Sequence, residues 1–471
     1  MAEERARMND FLDRSHSVAP AGYSRWLVPP AALCIHLAIG QAYAFSVFNK
    51  PMSQLIGVTA PAAGDWSIPA LGWIFSLAIV FLGLAAAFGG KWVEDVGPRK
   101  AMFASALCFS GGLLLAGAGV ALHQLWIVYF GYGVVGGIGL GLGYISPVST
   151  LIKWFPDRPG LATGTAIMGF GGGALIGAPL AVALIKHYST PAFVGVAPTM
   201  LTMGAIYLAF MLVGVFIVRV PPAGWSPAGF VAHAKPRKLV TTQNVLVGRA
   251  VATPQFYLLW TVLFVNVTAG IGVLGQASLM IQEMFPAKFP HGTEAATTAS
   301  AAVAAGFVGL LSIFNMGGRI FWASLSDVIG RKATYGVFFV LGILLYASIP
   351  SLGRAGDLAL FVLCYGLIIS MYGGGFATIP AYLRDLFGTI NVGAIHGRLL
   401  TAWSAAGVAG PVLVNYIRQY QIDRGVAKAD AYSVTMYLMA ALLVVGLICN
   451  LLVKPIGDEH YVNVPLREAA S

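Results

Sequence analysis

The amino-acid sequence predicts an all-α polytopic membrane protein whose twelve transmembrane helices form two six-helix bundles. Three observations support this prediction: the composition, twelve long apolar segments, and landmarks that recur in the second half of the chain. Of the 471 residues, 58% are hydrophobic and only 10% are charged, with a mean hydropathy of +0.79. Soluble globular proteins carry about 25% charged residues, so this chain has too little polar surface to stay dissolved in water.

The apolar segments are continuous rather than alternating, which excludes a β-barrel and favours helices, whose backbone hydrogen bonds are satisfied internally. A helix crosses the bilayer with about 20 apolar residues. Twelve segments that meet this criterion are predicted at 27–48, 70–92, 100–121, 125–152, 160–186, 199–218, 255–284, 298–323, 333–352, 358–382, 395–417 and 432–453.

Lysine and arginine predict the topology. Of 28 such residues, one lies deep in a span, twenty fall in segments on one predicted side and seven on the other. The positive-inside rule then places both termini in the cytoplasm of a protein of the inner (plasma) membrane. The net charge of +10 is thus a topology signal rather than a sign of nucleic-acid binding. The four cysteines lie in apolar segments without metal-ligand spacing, so no metal or cofactor is expected.

A repeat divides the chain into two halves. The segment DVGPRK at 95–100 recurs as DVIGRK at 327–332, an offset of 232 residues, and Pro147 recurs as Pro380 at an offset of 233. Two related halves with a long linker are typical of transporters built from duplicated bundles. The predicted parts are a cytoplasmic tail (1–24), a first bundle (25–219), a cytoplasmic linker (220–253), a second bundle (254–454) and a cytoplasmic tail (455–471).

Arg319 is the charged residue deep in a span, and it is the only ionisable side chain between Glu294 and Asp327. A guanidinium in the bilayer centre costs at least about 2.5–3.5 kcal/mol, so such residues usually face a protein interior where an anion can pair with them. Its planar fork matches a carboxylate. Asn315, one turn earlier, could orient the guanidinium. The alternatives are an internal pair with Asp327 or snorkelling to the membrane edge.

The two repeated loops, GGKWVEDVGPRK and WASLSDVIGRK, resemble the signature loop of the major facilitator superfamily. Nearly the whole chain resembles the oxalate/formate antiporter family, relatives of the monocarboxylate transporters. The segments that carry this resemblance are IGQAYAFSVFNKP, GYISPVSTLIKWFPDRPGLATG, FNMGGRIFWASLSD and HGRLLTAW. The resemblance implies the major facilitator fold and a secondary transporter, not an enzyme. It would work as a monomer in the lipid bilayer, with a small carboxylate and in addition protons as partners.

The resemblance also implies roles for individual residues. Arg319 would bind the substrate carboxylate, and a loop lock would hold the two halves together, although plain topology charges are an alternative for the lock. For each aromatic residue of the cavity, packing or lipid contact is an alternative. The implied cavity residues are Tyr43, Asn49, Tyr144, Tyr372 and Phe376, and the implied lock residues are Glu94, Arg99, Asp327, Arg331 and Lys332.

One departure from the family bears on the substrate. The oxalate transporters carry a lysine in the eleventh span, whereas Trp403 stands at the corresponding place here and is counted among the cavity residues. One fixed cation balances one carboxylate, so we expect a monocarboxylate such as pyruvate, lactate or formate. An oxalate/formate-type exchanger and a non-transporting sensor are the alternatives.

Monocarboxylate relatives often have an aspartate where Asn315 stands. Because an asparagine carries no titratable proton, proton coupling in this chain needs another residue as the carrier. His36, midway along the first span, is a candidate, with a hydrogen-bonded core histidine as the alternative. Glu283 and Glu294, near predicted external helix ends, are further candidates. Symport, antiport and facilitated diffusion all remain open at this point.

Overall fold

The fold consists of twelve helices long and apolar enough to cross a membrane, seen in a computed structural model that describes residues 11–229, 239–274, 276–288 and 294–462. We name these helices α1 to α12. They are α1 (Arg25–Met52), α2 (Ile68–Val96), α3 (Pro98–Ala121), α4 (Leu125–Trp154), α5 (Pro159–Tyr188), α6 (Val196–Ile217), α7 (Pro254–Leu274), α8 (Glu294–Ile329), α9 (Arg331–Ala355), α10 (Leu358–Phe387), α11 (Val392–Asp423) and α12 (Ser433–Leu452).

Helices α1–α6 and α7–α12 form two bundles, as predicted. In the first bundle α1 packs on α5, α2 on α4, and α3 on α6, and in the second α7 packs on α11, α8 on α10, and α9 on α12. The bundles meet where α8 contacts α5 and where α11 contacts α2. These two contacts are equivalent under the exchange of halves, so the interface between the bundles is pseudo-symmetric.

Several predicted ends differ from the structure. The predicted segment 255–284 contains two helices, because α7 ends at Leu274 and a separate helix, Ala277–Met284, follows with the polar Gln276 before it. In contrast, α8 and α11 extend beyond the predicted 298–323 and 395–417. Hydropathy marks only the part of a helix that lies in hydrocarbon, whereas the helix itself continues into the polar interface.

The first and the last described segments lie at one face of the molecule, the face on which α1 begins and α12 ends, which we call the terminal face. Before α1, the backbone of Ala19 bonds to Val220, which follows α6. Beyond α12, strand β2 (Tyr461–Val462) pairs in antiparallel fashion with β1 (Asn244–Val245). Parts of the predicted tails and linker, 1–10, 230–238 and 463–471, lie outside the described residues.

At the loops after α2 and α8 the repeat has a register of 233 residues, which corrects the offset of 232 expected there. Gly97 and Gly330 end α2 and α8 with φ of 84° and 91°, a backbone region that favours glycine. Counting back three residues from each glycine pairs Glu94 with Asp327. Asp95, which the motif DVGPRK suggested as the partner of Asp327, is instead exposed.

Helices α1 and α5 approach each other closely at two glycines. A Cβ atom on Gly40 would lie 2.5 Å from the carbonyl oxygen of Phe170, and one on Gly173 would lie 2.5 Å from the carbonyl carbon of Gly40. Residues Gly40–Phe48 of α1 form a 3₁₀ segment. The approach places this segment against the middle of α5.

We expect Gly173→Ala to destabilise the protein, because the added methyl group meets backbone atoms that cannot move independently. Overpacking of this kind costs about 1–3 kcal/mol. Gly111→Ala in α3 is the matched control, since its Cβ atom would have no heavy atom within 4 Å. Thermal unfolding in detergent should show a lower Tm for the first variant only. Equal Tm values for the two variants would contradict the close approach.

Candidate functional site

Arg319 is completely buried in α8, at the interface between the two bundles. Its Nε donates to Oδ1 of Asn315 at 3.1 Å, and its Nη1 donates to the carbonyl oxygen of Ile167 in α5 at 3.1 Å. Nη2 has no hydrogen-bond partner among the described residues, and no described carboxylate forms an ion pair with this guanidinium. The structure therefore lacks the internal ion pair between Arg319 and Asp327 that the sequence allowed as an alternative.

Six aromatic residues surround this guanidinium on five helices. The guanidinium carbon lies 5.5 Å from the ring centroid of Phe376 and 6.0 Å from that of Phe170, within range of a cation–π interaction. Trp403 is fully buried, and its ring lies 4.6 Å from Phe376, 5.2 Å from Tyr144 and 5.3 Å from Phe170. We call the whole group the central cluster. Its members are Arg319, Asn315, Phe170, Phe376, Trp403, Tyr144, Tyr43 and Tyr372.

Tyr43 and Tyr372 connect the two bundles within the central cluster. Their hydroxyl groups lie 3.0 Å apart, one on α1 and the other on α10. Tyr43 also packs edge-on against Phe170, with ring centroids 5.1 Å apart. Tyr372 packs edge-on against Phe376 at 5.3 Å, which is the one-turn aromatic face that the sequence suggests.

The central cluster holds several buried polar atoms that have no hydrogen-bond partner within the described ranges. They are Nη2 of Arg319, Nε1 of Trp403 and the hydroxyl of Tyr144. All three groups can donate a hydrogen bond, and two of them cannot accept one. Tyr43 and Tyr144 also interact electrostatically with Arg319. Buried donors around a cation form an environment that suits an anion.

The structure brings together all but one of the predicted cavity residues. Asn49 lies outside the central cluster, six residues beyond Tyr43, with its Oδ1 buried and without a partner among the described residues. Sequence reasoning missed Phe170 and the carbonyl of Ile167. Phe170 stands alone as an aromatic residue in the glycine-rich segment of α5, which was interpreted only as helix packing. A Cβ atom on Gly171 would lie 2.8 Å from Nε of Arg319, so this glycine leaves room for the guanidinium.

Asp327 joins the bundles near the terminal face. Its two carboxylate oxygens accept hydrogen bonds from the backbone N–H groups of Gly160 and Leu161, each at 2.9 Å, at the first turn of α5. A negative charge is favourable there because the N-terminus of a helix carries partial positive charge. Arg331 lies beside this contact, with Nη2 at 2.5 Å from Oδ1 of Asp327 and Nε at 3.2 Å from Asp385.

Glu94 makes the equivalent contact in the other half. Its Oε1 accepts from the backbone N–H of Gly393 at 3.0 Å, at the first turn of α11, and its Oε2 pairs with Lys153 at 2.6 Å. Two predicted lock residues lie elsewhere. Arg99 donates to the carbonyl of Phe11 at 2.8 Å, and Lys332 donates to the carbonyls that end α12. Arg99 thus holds the N-terminal tail against the first bundle, and Lys332 holds the end of α12 within the second.

His36 lies next to the central cluster, on α1. It is completely buried, and its ring centroid lies 5.5 Å from that of Tyr144. The site as a whole therefore combines a cation, donors, aromatic walls and a buried imidazole at the interface of two bundles that touch at the terminal face. This arrangement of two six-helix bundles around a central polar site defines the class of membrane transport proteins with inverted or duplicated halves.

The chain belongs to the Major Facilitator Superfamily, whose family model matches residues 21–411. It is similar to the oxalate:formate antiporter of Oxalobacter formigenes, with 28% identity over 82% of this chain and 83% of that protein. It is also similar to apicoplast pyruvate carrier 1 of Toxoplasma gondii, with 24% identity over 83% of this chain and 76% of that protein. The expected resemblance to the oxalate/formate antiporters is confirmed.

Solved structures show the same fold at low sequence identity. The transporter FucP in its outward conformation covers 91% of this chain and 99% of its own, with a TM-score of 0.61 and 13% identity. The proton:xylose symporter XylE covers 90% of this chain and 94% of its own, with a TM-score of 0.63 and 13% identity. The protein is thus a multi-pass member of a family of transporters.

We expect Asp327→Asn to weaken the closure of the terminal face, because the neutral amide loses the charge that the start of α5 favours. Hydrogen bonds to charged groups contribute about 1.5–3 kcal/mol. Spin labels on the exposed Lys100 and Val328 positions should report a larger population of long distances between the bundles.

Asp157→Asn is the matched control for this measurement. Its carboxylate pairs with Arg25 at 2.7 Å inside the first bundle, so its loss should leave the distance between the bundles unchanged. A distance distribution for Asp327→Asn that matches the wild type would show that this carboxylate does not hold the face closed.

Proposed function

We propose that this protein is a secondary active transporter that carries a small monocarboxylate through the membrane by alternating access, with the carboxylate docked on Arg319. The observation that carries the proposal is the completely buried guanidinium whose Nη2 has no partner among the described residues. A buried charge without a counter-charge raises the free energy of the folded protein. An incoming carboxylate would remove that cost, and this supports a substrate site rather than a structural ion pair.

The donors of the central cluster support an anionic substrate. Nη2 of Arg319, Nε1 of Trp403 and the hydroxyl of Tyr144 can together donate to two carboxylate oxygens. The aromatic rings exclude water, which strengthens these bonds. The names of two relatives, an oxalate:formate antiporter and a pyruvate carrier, agree with a substrate of this class.

The number of cations favours a monocarboxylate over oxalate. Arg319 is the one cationic side chain among the members of the central cluster, and Trp403 occupies the place where the resemblance leads us to expect a lysine in oxalate transporters. A dianion would leave one negative charge without a partner in a low-dielectric cavity. Exchange of the oxalate/formate type stays as the alternative function.

The contacts between the bundles support alternating access. We infer that the terminal face is cytoplasmic, in an inner (plasma) membrane, because twenty of the lysines and arginines lie on that predicted side. Asp327 and Glu94 would then close the cytoplasmic side, each by binding the first turn of a helix in the other bundle. Rocking of the bundles 25–219 and 254–454 would break these contacts and open the site to the cytoplasm.

We expect Arg319→Ala to abolish carboxylate uptake into proteoliposomes. Removing one partner of a buried charged pair costs about 2–5 kcal/mol of binding. Arg319→Lys should also be severely impaired, because a lysine keeps the charge but loses the planar fork. Arg354→Ala is the control, since this arginine lies at the surface in an exposed pair with Asp430 and should transport normally. Normal uptake by Arg319→Ala would exclude the site.

Competition should rank pyruvate, lactate and formate ahead of oxalate. The physical reason is the single guanidinium, which balances one carboxylate and leaves a second one unpaired. The measurement is inhibition of labelled pyruvate uptake by each acid on reconstituted vesicles. Oxalate that outcompetes pyruvate and lactate would instead support the exchanger, and binding of pyruvate without any flux would support a sensor.

A further inference from the structure

His36 is a buried histidine whose two ring nitrogens both face backbone carbonyl oxygens. Nδ1 lies 2.6 Å from the carbonyl oxygen of Ala166 in α5, and Nε2 lies 3.2 Å from the carbonyl oxygen of Tyr144 in α4. A neutral imidazole has one N–H group, so it can donate to only one of them. The lone pair of the other nitrogen then points at an oxygen. Only the protonated ring donates to both, so the two carbonyls favour an imidazolium, whereas burial and the charge of Arg319 oppose it.

The same turn of helix α5 also binds the guanidinium of Arg319. Ala166 faces His36, and the next residue, Ile167, accepts a hydrogen bond from Nη1 of Arg319 at 3.1 Å. Arg319 is close enough for its positive charge to oppose a second positive charge on His36. His36 and Arg319 therefore repel each other when both are charged, and they bind consecutive backbone carbonyls of α5.

Resting on the function proposed above, we propose that His36 is the proton-binding site of this carrier and that the proton and the substrate carboxylate bind cooperatively. A carboxylate docked on Arg319 neutralises the charge that opposes protonation of His36. A proton on His36 in turn makes the cavity more favourable for an anion. Such linkage is reciprocal, and typical coupling changes each affinity by about 5–150-fold.

The groups around His36 are few. Tyr144 faces it from α4 and Arg319 acts on it from α8, while α5 offers the carbonyl of Ala166. On the side toward α6, Gly214 packs against the neighbouring Cys34. No described carboxylate pairs with His36, so a carboxylate docked on Arg319 would supply a negative charge that the surroundings of His36 otherwise lack.

The other candidates for a proton carrier have weaker geometry. Glu283 accepts hydrogen bonds from Arg418, at 2.9 Å, and from Tyr432, at 2.6 Å, so its carboxylate already has two partners. The side chain of Glu294 lies outside the described residues. His396 is as buried as His36 and lies 5.9 Å from the ring of Tyr144, but neither of its nitrogens has a partner in the described part of the chain.

Charge balance makes the proposal specific. The empty site carries the single positive charge of Arg319. One carboxylate and one proton together leave that net charge unchanged. Uptake should therefore be electroneutral, driven by an inward proton gradient and indifferent to the membrane potential.

The test uses the full-length protein in proteoliposomes with labelled pyruvate, and compares His36→Asn with His396→Asn. Uptake driven by a pH gradient needs a bound proton, whereas exchange of labelled for unlabelled pyruvate needs none. We expect His36→Asn to lose gradient-driven uptake and the tightening of pyruvate affinity at low pH, while it keeps exchange. His396→Asn is the matched control, because it alters an equally buried histidine beside the same tyrosine. It should keep both activities, since the proposal assigns the proton to His36 alone.

If a pH gradient drives pyruvate uptake by His36→Asn as fast as it does by the wild type, the proposal is overturned. If His36→Asn also loses exchange, the variant is uninformative and the wild type is tested instead. Pyruvate is then added to the wild type in weakly buffered detergent solution, and the uptake of protons from the solution is measured. Proton uptake on binding then supports the proposal, and its absence overturns it. A wild type that exchanges pyruvate without responding to a pH gradient would exclude His36 coupling and leave the transport function standing. A wild type that neither binds nor moves any carboxylate would exclude the function itself.

Discussion

The buried charge of Arg319 is the constraint around which the centre of this protein is arranged. A guanidinium cannot lose its proton in a protein, so its burial must be compensated by dipoles, rings or an anion. Here the compensation comes from a side-chain amide, Asn315, from a backbone carbonyl of the other bundle, Ile167, and from aromatic faces. These partners are all neutral. The arrangement holds the charge in place without cancelling it, which suits a site that must bind an anion and release it again.

Arg319 and Asp327 both bridge the same pair of helices, α5 and α8. Helix α8 carries Arg319 and, eight residues later, Asp327, about 12 Å away along the helix axis. Helix α5 carries their partners in the reverse order along the chain, Ile167 for the guanidinium and Gly160 for the carboxylate, because the two helices run antiparallel. A change at the site that shifts α8 against α5 therefore acts directly on the closed face, without any longer pathway through the molecule.

Duplication explains why this closure comes in two copies. The starts of α5 and α11 occupy equivalent places, and each binds a carboxylate from the end of a helix in the other bundle, Asp327 or Glu94. The flanking cations have diverged, since Arg331 supports Asp327 whereas Lys153 supports Glu94. The acidic contact at a helix start is thus the common element, and the basic residues that surround it differ between the halves.

The sequence alone determined the twelve spans, the two halves and the place of Arg319 deep in a span, because hydrophobic length and a lone charge in hydrocarbon are local properties. It also suggested most of the aromatic residues that meet around Trp403. Only the tertiary structure decided the rest: that Phe170 joins them, that Asn49 does not, and that Arg99 and Lys332 bind chain segments away from the contact between the bundles. The reason is physical. Backbone carbonyls such as those of Ala166 and Ile167 look alike in any helix, and only the packing of α5 against its neighbours decides which of them face a cation.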